Sequence, residues 1–238
     1  MTGTIFNVLT VVIGGLLGML FGSRLPEKLR HTVVAGLGLF TLAYGVKMFT
    51  QTQNSLIVVM SLLFGVLLGE WLKIEEGLEK LGKWLEARFM KNGDGASQAR
   101  FIRGFLTASL VFCIGPMAIL GSIQDGLTGD YQTLAIKAIL DGFAALAFAS
   151  SLGVGVVFSI LPLFVYQGGI SLLAAQVQSF MTADMMTEMS ATGGVLLLGI
   201  ALSSLLEIKH IRVGNFLPAL VIAPLLVWVV ALLGFQLP

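Results

Sequence analysis

Eight apolar runs, each long enough to cross the hydrocarbon core of a bilayer as a helix of about 20 residues, constrain this chain more than any other feature. They lie near residues 5–23, 33–50, 55–72, 104–123, 132–150, 153–176, 190–206 and 214–235. Composition agrees. Of the 238 residues, 56% are hydrophobic and 11% charged, whereas a soluble domain carries about 25% charge. So few charges cannot cover a water-facing surface. The expected fold is all-α, a polytopic integral membrane protein embedded in lipid. The net charge of +1 gives no reason to expect nucleic acid as a partner. Met1 to Asn7 has no basic n-region and no evident cleavage site, so the first run reads as a retained helix rather than a signal peptide.

The stretch 132–176 is the ambiguous one. It is interrupted only by Ser150-Ser151-Leu152-Gly153 and by Pro162. It fits two spans joined by a tight turn, or one span plus a re-entrant segment. Charge distribution supports two. With eight crossings, one side of the membrane receives the loops around 24–31, 73–103, 150–153 and 207–213. These hold Arg24, Lys28, Arg30, Lys73, Lys80, Lys83, Arg88, Lys91, Arg100, Arg103, Lys209 and Arg212. The loops around 51–54, 124–131 and 177–189 hold no Lys or Arg, and the last two carry Asp125, Asp130, Asp184 and Glu188. Only Lys47 and Lys137 fall outside the basic loops, inside helices. An excess of Lys and Arg marks cytoplasmic loops, which places both termini outside.

Residues 10–49 and 163–205 resemble one another. Each has a Gly-Gly pair in an apolar run, a polar connection, and a second Gly-containing run. Gly14-Gly15 aligns with Gly168-Gly169, and Gly36/Gly38 with Gly193/Gly194. A third run follows each copy, preceded by Asn54 in one and Asn215 in the other. The copies begin at the first and sixth runs, and an offset of five reverses direction. Two inverted three-helix repeats are therefore expected, about 5–72 and 153–235, with linking helices over about 104–150, all in a single transmembrane domain of 1–238. Such repeats are a common scaffold of secondary transporters. The plainer reading is that two Gly-rich membrane hairpins look alike by composition.

One sizeable stretch lies outside the apolar runs. Ile74, Leu78, Leu81, Leu85 and Phe89 recur at three- and four-residue steps, with Glu75, Glu79, Lys83 and Glu86 on the other face. This is an amphipathic helix over about 73–92. It either lies on the cytoplasmic membrane surface, with Trp71 and Trp84 at the interface, or packs on a sister subunit. Asn92-Gly93-Asp94-Gly95 ends it as a loop.

Asp141 is the first candidate for chemistry. It sits midway along its span, where a charge costs at least about 2.5–3.5 kcal/mol. An acid there usually faces a cavity or a partner, which suits a proton or cation site. Lys137, four residues earlier, shares its helical face, so a buried structural ion pair is the competing reading. The second candidate is the segment 112–130. Gly115-Pro116 in mid-span bends or breaks the helix and can free backbone carbonyls for a site, or is only a kink. Gln124 and Asp125, with the turn Gly126 to Asp130, would form an outer vestibule. Gly14, Gly15, Gly168 and Gly169 either pack helices closely or mark unwound half-helices, and Gln167 beside the second pair can line a site. Asn215 precedes the last run, which Pro218 and Pro224 kink. Asn7 lies near the outer end of the first.

Other polar residues carry less. Glu70 at the cytoplasmic end of its span, next to Trp71, is cheap to place there. His31 and His210 form no metal-ligand spacing, and a single cysteine, Cys113, excludes an intrachain disulfide. There is no phosphate-binding glycine loop with Lys-Ser/Thr, no Ser/His/Asp set and no His-x-x-x-His helix. The chain is not expected to be an enzyme or to hold a metal or cofactor, beyond a possible coupling H+ or Na+.

Gly14-Gly15-Leu16-Leu17-Gly18, Arg24-Leu25-Pro26-Glu27, Gly69-Glu70, Phe112-Cys113 and Gly126-Leu127-Thr128-Gly129-Asp130 together resemble motifs of the bacterial "domain of unknown function 554" membrane proteins. So do Ala135-Ile136-Lys137 with Leu140-Asp141, Phe148-Ala149 with Ser151-Leu152-Gly153, Ala191-Thr192-Gly193-Gly194 and Asn215-Phe216-Leu217-Pro218-Ala219-Leu220. The resemblance implies a multi-spanning prokaryotic protein, usually labelled as a transport protein without an established substrate, in the bacterial cytoplasmic (inner) membrane. It brings no accepted binding or catalytic residues.

The sequence therefore reads first as an ion-coupled secondary transporter of a small solute or ion, working by alternating access around Asp141, with a homodimer as a reasonable assembly. A channel or passive pore is the alternative. A third reading is a non-transporting membrane assembly partner that recruits proteins through the 73–100 helix.

Overall fold

The computed structural model describes residues 1–22, 26–89 and 95–233, which are helical almost throughout and contain no strand. The loop residues Arg24, Lys91 and Asn92-Gly93-Asp94 lie outside the described residues. In chain order the helices are α1 (Thr2–Gly22), α2 (Glu27–Phe49), α3 (Ser55–Leu72), α4 (Ile74–Phe89), α5 (Gly95–Cys113), α6 (Pro116–Thr128) and α7 (Gln132–Leu152). There follow α8 (Gly155–Phe158), α9 (Ile160–Leu172), α10 (Ala174–Phe180), α11 (Ala183–Ile200) and α12 (Ala219–Leu232). Among the described residues seven helical segments have the length and apolarity of a membrane span, and eight if α5 and α6 form one bent span.

The bend has a local cause. Pro116 has no N–H to give the carbonyl four residues back, and proline at a first helical position starts a new helix readily. The run read as 104–123 is accordingly two helices, 63° apart. The stretch 132–176 is divided at Gly153, which adopts φ +81° and ψ −160°, a conformation open to few other residues. α7 ends there, and α8 and α9 follow at once.

By contact the chain divides into two compact units. The first comprises Met1–Leu37, Leu78–Cys113 and Met117–Val177; the second comprises Gly38–Gly77, Ile114–Pro116 and Gln178–Pro238.

In the first unit α1 packs along α7. Gly14, Gly18 and Gly22 recur every fourth residue, and a methyl group on any of them would run into the carbonyl oxygen of Gly142, Leu146 or Ser150 respectively. Close approach of this kind supplies van der Waals contact and Cα–H···O bonds worth about 0.5–1 kcal/mol each, the glue available where lipid removes the hydrophobic incentive. α1 is unbroken across Gly14-Gly15, and α9 is unbroken across Gly168-Gly169. Neither pair marks an unwound half-helix. Gly15 instead abuts Val157, and Gly168 lies beside Met1. α5 packs on the same assembly through Gly104 against Leu152. Below it, Leu85 of α4 is buried with Phe101 and Phe105. Trp84 is 61% exposed.

In the second unit Gly65 and Gly69 of α3 lie against Ala219 and Asn215, and Gly45 of α2 lies against Gly194 of α11. Ile57, Met185 and Val227 form a small core between α3, α11 and α12. α11 begins at Ala183 and ends in a π-helical turn over Ala201–Leu205, so it starts well before the apolar run near 190. Glu188, placed in a loop by its sequence, is thereby carried into α11, where it is 1% exposed. Its carboxylate accepts from Thr52 Oγ1 (2.6 Å), the Gln53 N–H (2.7 Å) and the Asn54 N–H (3.1 Å), holding the turn that starts α3.

Contact order along the helices fixes their directions. Gly14, Gly18 and Gly22 meet Gly142, Leu146 and Ser150 in ascending order, so α1 and α7 are parallel. Asn7 meets Gln167 and Gly15 meets Val157, so α9 is antiparallel to both. Gly65 and Gly69 meet Ala219 and Asn215 in descending order, so α3 and α12 are antiparallel. In a membrane, parallel α1 and α7 require an odd number of crossings between them. α2 and α3 have the length and apolarity to be two of them, and the bent pair α5–α6 would be the third as a single bent span. The same counting makes 132–152 and 155–172 two separate spans.

Candidate functional site

Four buried polar residues meet in the first unit. Asp141 lies midway along α7 with 9% exposure, Lys137 one turn earlier with 7%, and Asn7 of α1 and Gln167 of α9 have none. The 3.6-residue period puts Lys137 and Asp141 on one face, and the Lys137 Nζ reaches Asp141 Oδ2. Asn7 Nδ2 donates to the same Oδ2 at 2.9 Å and to Gln167 Oε1 at 3.2 Å. A helical side chain leans toward its own N-terminus, which carries the Asp141 carboxylate toward the level of Asn7 on the parallel α1. The closeness of α1 to α7, set by the glycine stripe, puts Asn7 within reach. The carboxylate is thus paired, hydrogen-bonded and wrapped in helix, the conditions under which a buried charge is tolerable.

A second group flanks this network. Asp125 of α6 is 3% exposed. Its Oδ2 accepts the Gly3 N–H at 3.0 Å and lies 3.1 Å from the Met1 amine, satisfying donors that the start of α1 leaves free. Its Oδ1 has no partner. The same holds for Asn7 Oδ1, Gln167 Nε2, and the hydroxyls of Thr4, Thr107, Ser122 and Ser171. Buried polar atoms without partners are rare in native proteins, and each calls for an explanation.

The other residues expected to form a site lie elsewhere. Gln124 is exposed and accepts from Thr133 Oγ1 at 2.7 Å, away from the buried acid beside it in sequence. Gly115 and Pro116 form the break between α5 and α6 and group with the second unit; a side chain at Gly115 would meet nothing within 4 Å. Gly14 and Gly15 serve packing. Gly169 has open space around it, and Gly168 touches the Met1 side chain. Asn215 belongs to the second unit, where its Oδ1 accepts the Glu75 N–H at 2.7 Å and Glu75 in turn accepts the Gly214 N–H at 2.5 Å. This reciprocal cap starts α4, so Asn215 is a structural residue. Among the described residues no three His, Cys, Asp or Glu side chains cluster as a metal site would require.

The arrangement on α1, α6, α7 and α9 is a polar interior within lipid-spanning helices, with one internally neutral ion pair and several hydrogen-bonding atoms free. It can hold an ion or small polar ligand, and it can respond to the gain or loss of charge at the Lys137–Asp141 pair.

Comparison with known proteins finds relatives that match over nearly their whole length. It is 32% identical over 240 residues to the "Uncharacterized membrane protein YdfK" of Bacillus subtilis (strain 168), covering 99% of this chain and 100% of that protein. It is 34% identical over 221 residues to the "Uncharacterized protein YqgA" of Escherichia coli (strain K12), covering 93% and 94% respectively. No solved structure matches it. The match to the family model described as "Protein of unknown function (DUF554)" runs over residues 2–228, and the chain belongs to that family.

Proposed function

We propose that the protein is an ion-coupled secondary transporter of the bacterial cytoplasmic membrane, moving a small solute or ion by alternating access. The observation that carries this reading is the Asn7–Asp141–Lys137–Gln167 network. A buried ion pair in mid-span is costly and is kept where its rearrangement does work. Gain or loss of positive charge at Asp141 would free Lys137 and Asn7 to regroup, coupling an ion to a change of helix packing.

The helix directions support the inverted-repeat scaffold. The counterpart helices of the two proposed copies are α1 and α9, α2 and α11, and α3 and α12. Each pair is antiparallel: Asn7 meets Gln167 and Gly15 meets Val157, Gly45 meets Gly194 and Gly38 meets Leu206, Gly65 meets Ala219 and Gly69 meets Asn215. A pseudo-two-fold axis in the membrane plane requires this. Rocking one copy against the other would give alternating access, with both termini outside.

The test is solid-supported-membrane electrophysiology on proteoliposomes, across cations, metabolites and pH jumps, with wild type and Asp141→Asn. The expected result is a saturable wild-type current lost in the variant. Undiminished current in Asp141→Asn would remove this network from the mechanism.

A further inference from the structure

Buried hydroxyls in this chain follow a rule with exceptions. Ser61, Ser109, Ser150, Ser159, Ser190 and Thr192 each turn back onto a carbonyl of their own helix, at 2.6–2.8 Å. This is the usual fate of Ser and Thr inside a helix. Ser122 and Ser171 do not, although each has a helical carbonyl four residues back. Thr4 does not turn back onto the Met1 carbonyl three residues before it, and these three hydroxyls are without partners, as is that of Thr107 on α5, which belongs to none of the contacts below. They share this with Asn7 Oδ1 and Asp125 Oδ1.

The three helices that bear these atoms close on one another at one level. Asp125 of α6 holds the Gly3 N–H of α1. Asn7 of α1 holds Gln167 of α9. Gly126 of α6 lies against the Ser171 carbonyl of α9. Apart from Thr107 Oγ1, every unpartnered oxygen named above is within about one helical turn of one of these contacts. The ends of α6 and α9 also converge there: Asp125 is near the last residue of α6, Thr128, and Ser171 near the last residue of α9, Leu172. Helix C-termini present free carbonyls and about half a negative charge each.

We propose that these oxygens, Asp125 Oδ1, Thr4 Oγ1, Asn7 Oδ1, Ser122 Oγ and Ser171 Oγ, form a binding site for a monovalent metal cation of the sodium class. Carboxylate, hydroxyl and amide oxygens are the hard donors that alkali and alkaline-earth cations take. Asp125 Oδ2 is already engaged by the Met1 amine, so Oδ1 offers a donor with little net negative charge behind it, which suits a monovalent rather than a divalent ion. The site is distinct from Asp141, whose Oδ2 is already held by Lys137 and Asn7. Asn7 spans the two: its nitrogen faces Asp141 and Gln167, and its oxygen faces the cation. Binding there would fix the Asn7 amide and with it the position of Asp141, which links cation occupancy to the ion pair.

The test is direct and needs no transport. Full-length protein is purified in choline chloride, and 22Na+ binding is measured by scintillation proximity with K+ and Li+ as competitors. Thermal unfolding is followed in NaCl, KCl, LiCl and choline chloride at equal ionic strength. Saturable binding is expected, with a melting temperature raised by at least one alkali cation over choline. Asp125→Asn should weaken binding tenfold or more. Thr4→Val combined with Ser122→Ala should do the same, and since neither hydroxyl has a partner to lose, this variant keeps its fold in choline. Asp141→Asn should still bind. No saturable 22Na+ binding together with no alkali-specific stabilisation, or binding unchanged in the Thr4/Ser122 variant, overturns the site. Transport without cation binding would sink this inference and leave the transporter standing. Cation binding without transport would do the reverse.

Discussion

Asn7 of α1 donates one hydrogen bond to Asp141 of α7 across 134 residues of sequence, at 2.9 Å. The second hydrogen of the same amide goes to Gln167 of α9. One uncharged side chain thus ties two further helices to the Lys137–Asp141 pair in mid-span. The pair itself is an ordinary product of helical spacing. Its position in the three-helix contact depends on Asn7 and on the glycines that let α1 approach.

Removing one member of the pair should be worse than removing both. Lys137→Met leaves the Asp141 carboxylate buried without its cation, at a cost of about 3–5 kcal/mol. Lys137→Met with Asp141→Leu removes both charges and should recover most of that loss. Unfolding in detergent, followed by thermal melting on a size-exclusion column, would show it. A double variant no more stable than the single would mean that the charges are not energetically coupled.

The α1–α7 contact predicts a sharp positional pattern for glycine replacement. Gly14→Ala and Gly18→Ala drive a methyl into a backbone carbonyl and should destabilise by about 1–3 kcal/mol, as overpacking does. Gly36→Ala and Gly77→Ala meet nothing within 4 Å and should leave stability unchanged or slightly raised through helix propensity. The comparison needs only melting temperatures of four variants.

Glu188 should matter to the fold of the second unit. Glu188→Ala removes the acceptor of the Thr52 hydroxyl and of the Gln53 N–H and leaves the Asn54 N–H only Thr52 Oγ1, and losing hydrogen bonds to a buried charged acceptor costs about 1.5–3 kcal/mol each. Hydrogen exchange should speed up selectively over residues 52–57. Protection there equal to wild type would show that α3 starts without this carboxylate.

Crossing of the membrane by the bent pair is open to a labelling experiment. In a Cys113→Ser background, Ser97→Cys and Asp130→Cys should react with impermeant maleimide from opposite sides of sealed vesicles. Labelling of both from one side would make α5–α6 re-entrant and would contradict the parallel course of α1 and α7.

Apolar run length located the spans well, because a helix in lipid must satisfy its own backbone and few other structures do so. The Gly115-Pro116 break was legible from proline chemistry, and the Lys137–Asp141 pairing from a four-residue spacing. What required the structure was contact between distant helices. Asn7 carried no local signal beyond being a lone polar residue in an apolar run. Thr4, Ser122 and Ser171 looked like any span hydroxyl, since Ser and Thr usually satisfy themselves within their helix. Glu188 and Asn215 were read by their place near run ends, yet each caps another helix's start, a role that only tertiary packing assigns. The glycine pairs were ambiguous because close packing and helix breaking both favour glycine.

The glycine-lined contact between α1 and α7 also has a consequence for how the chain is made. α1 has its partner on a segment that leaves the ribosome more than a hundred residues later, a delay on the order of 10 s at ordinary rates of synthesis. During that interval α1 must reside in the bilayer with Thr4 and Asn7 unpaired and its small-residue groove empty. Its assembly is therefore post-insertional, and the step that buries Asn7 waits on the arrival of α7 and α9.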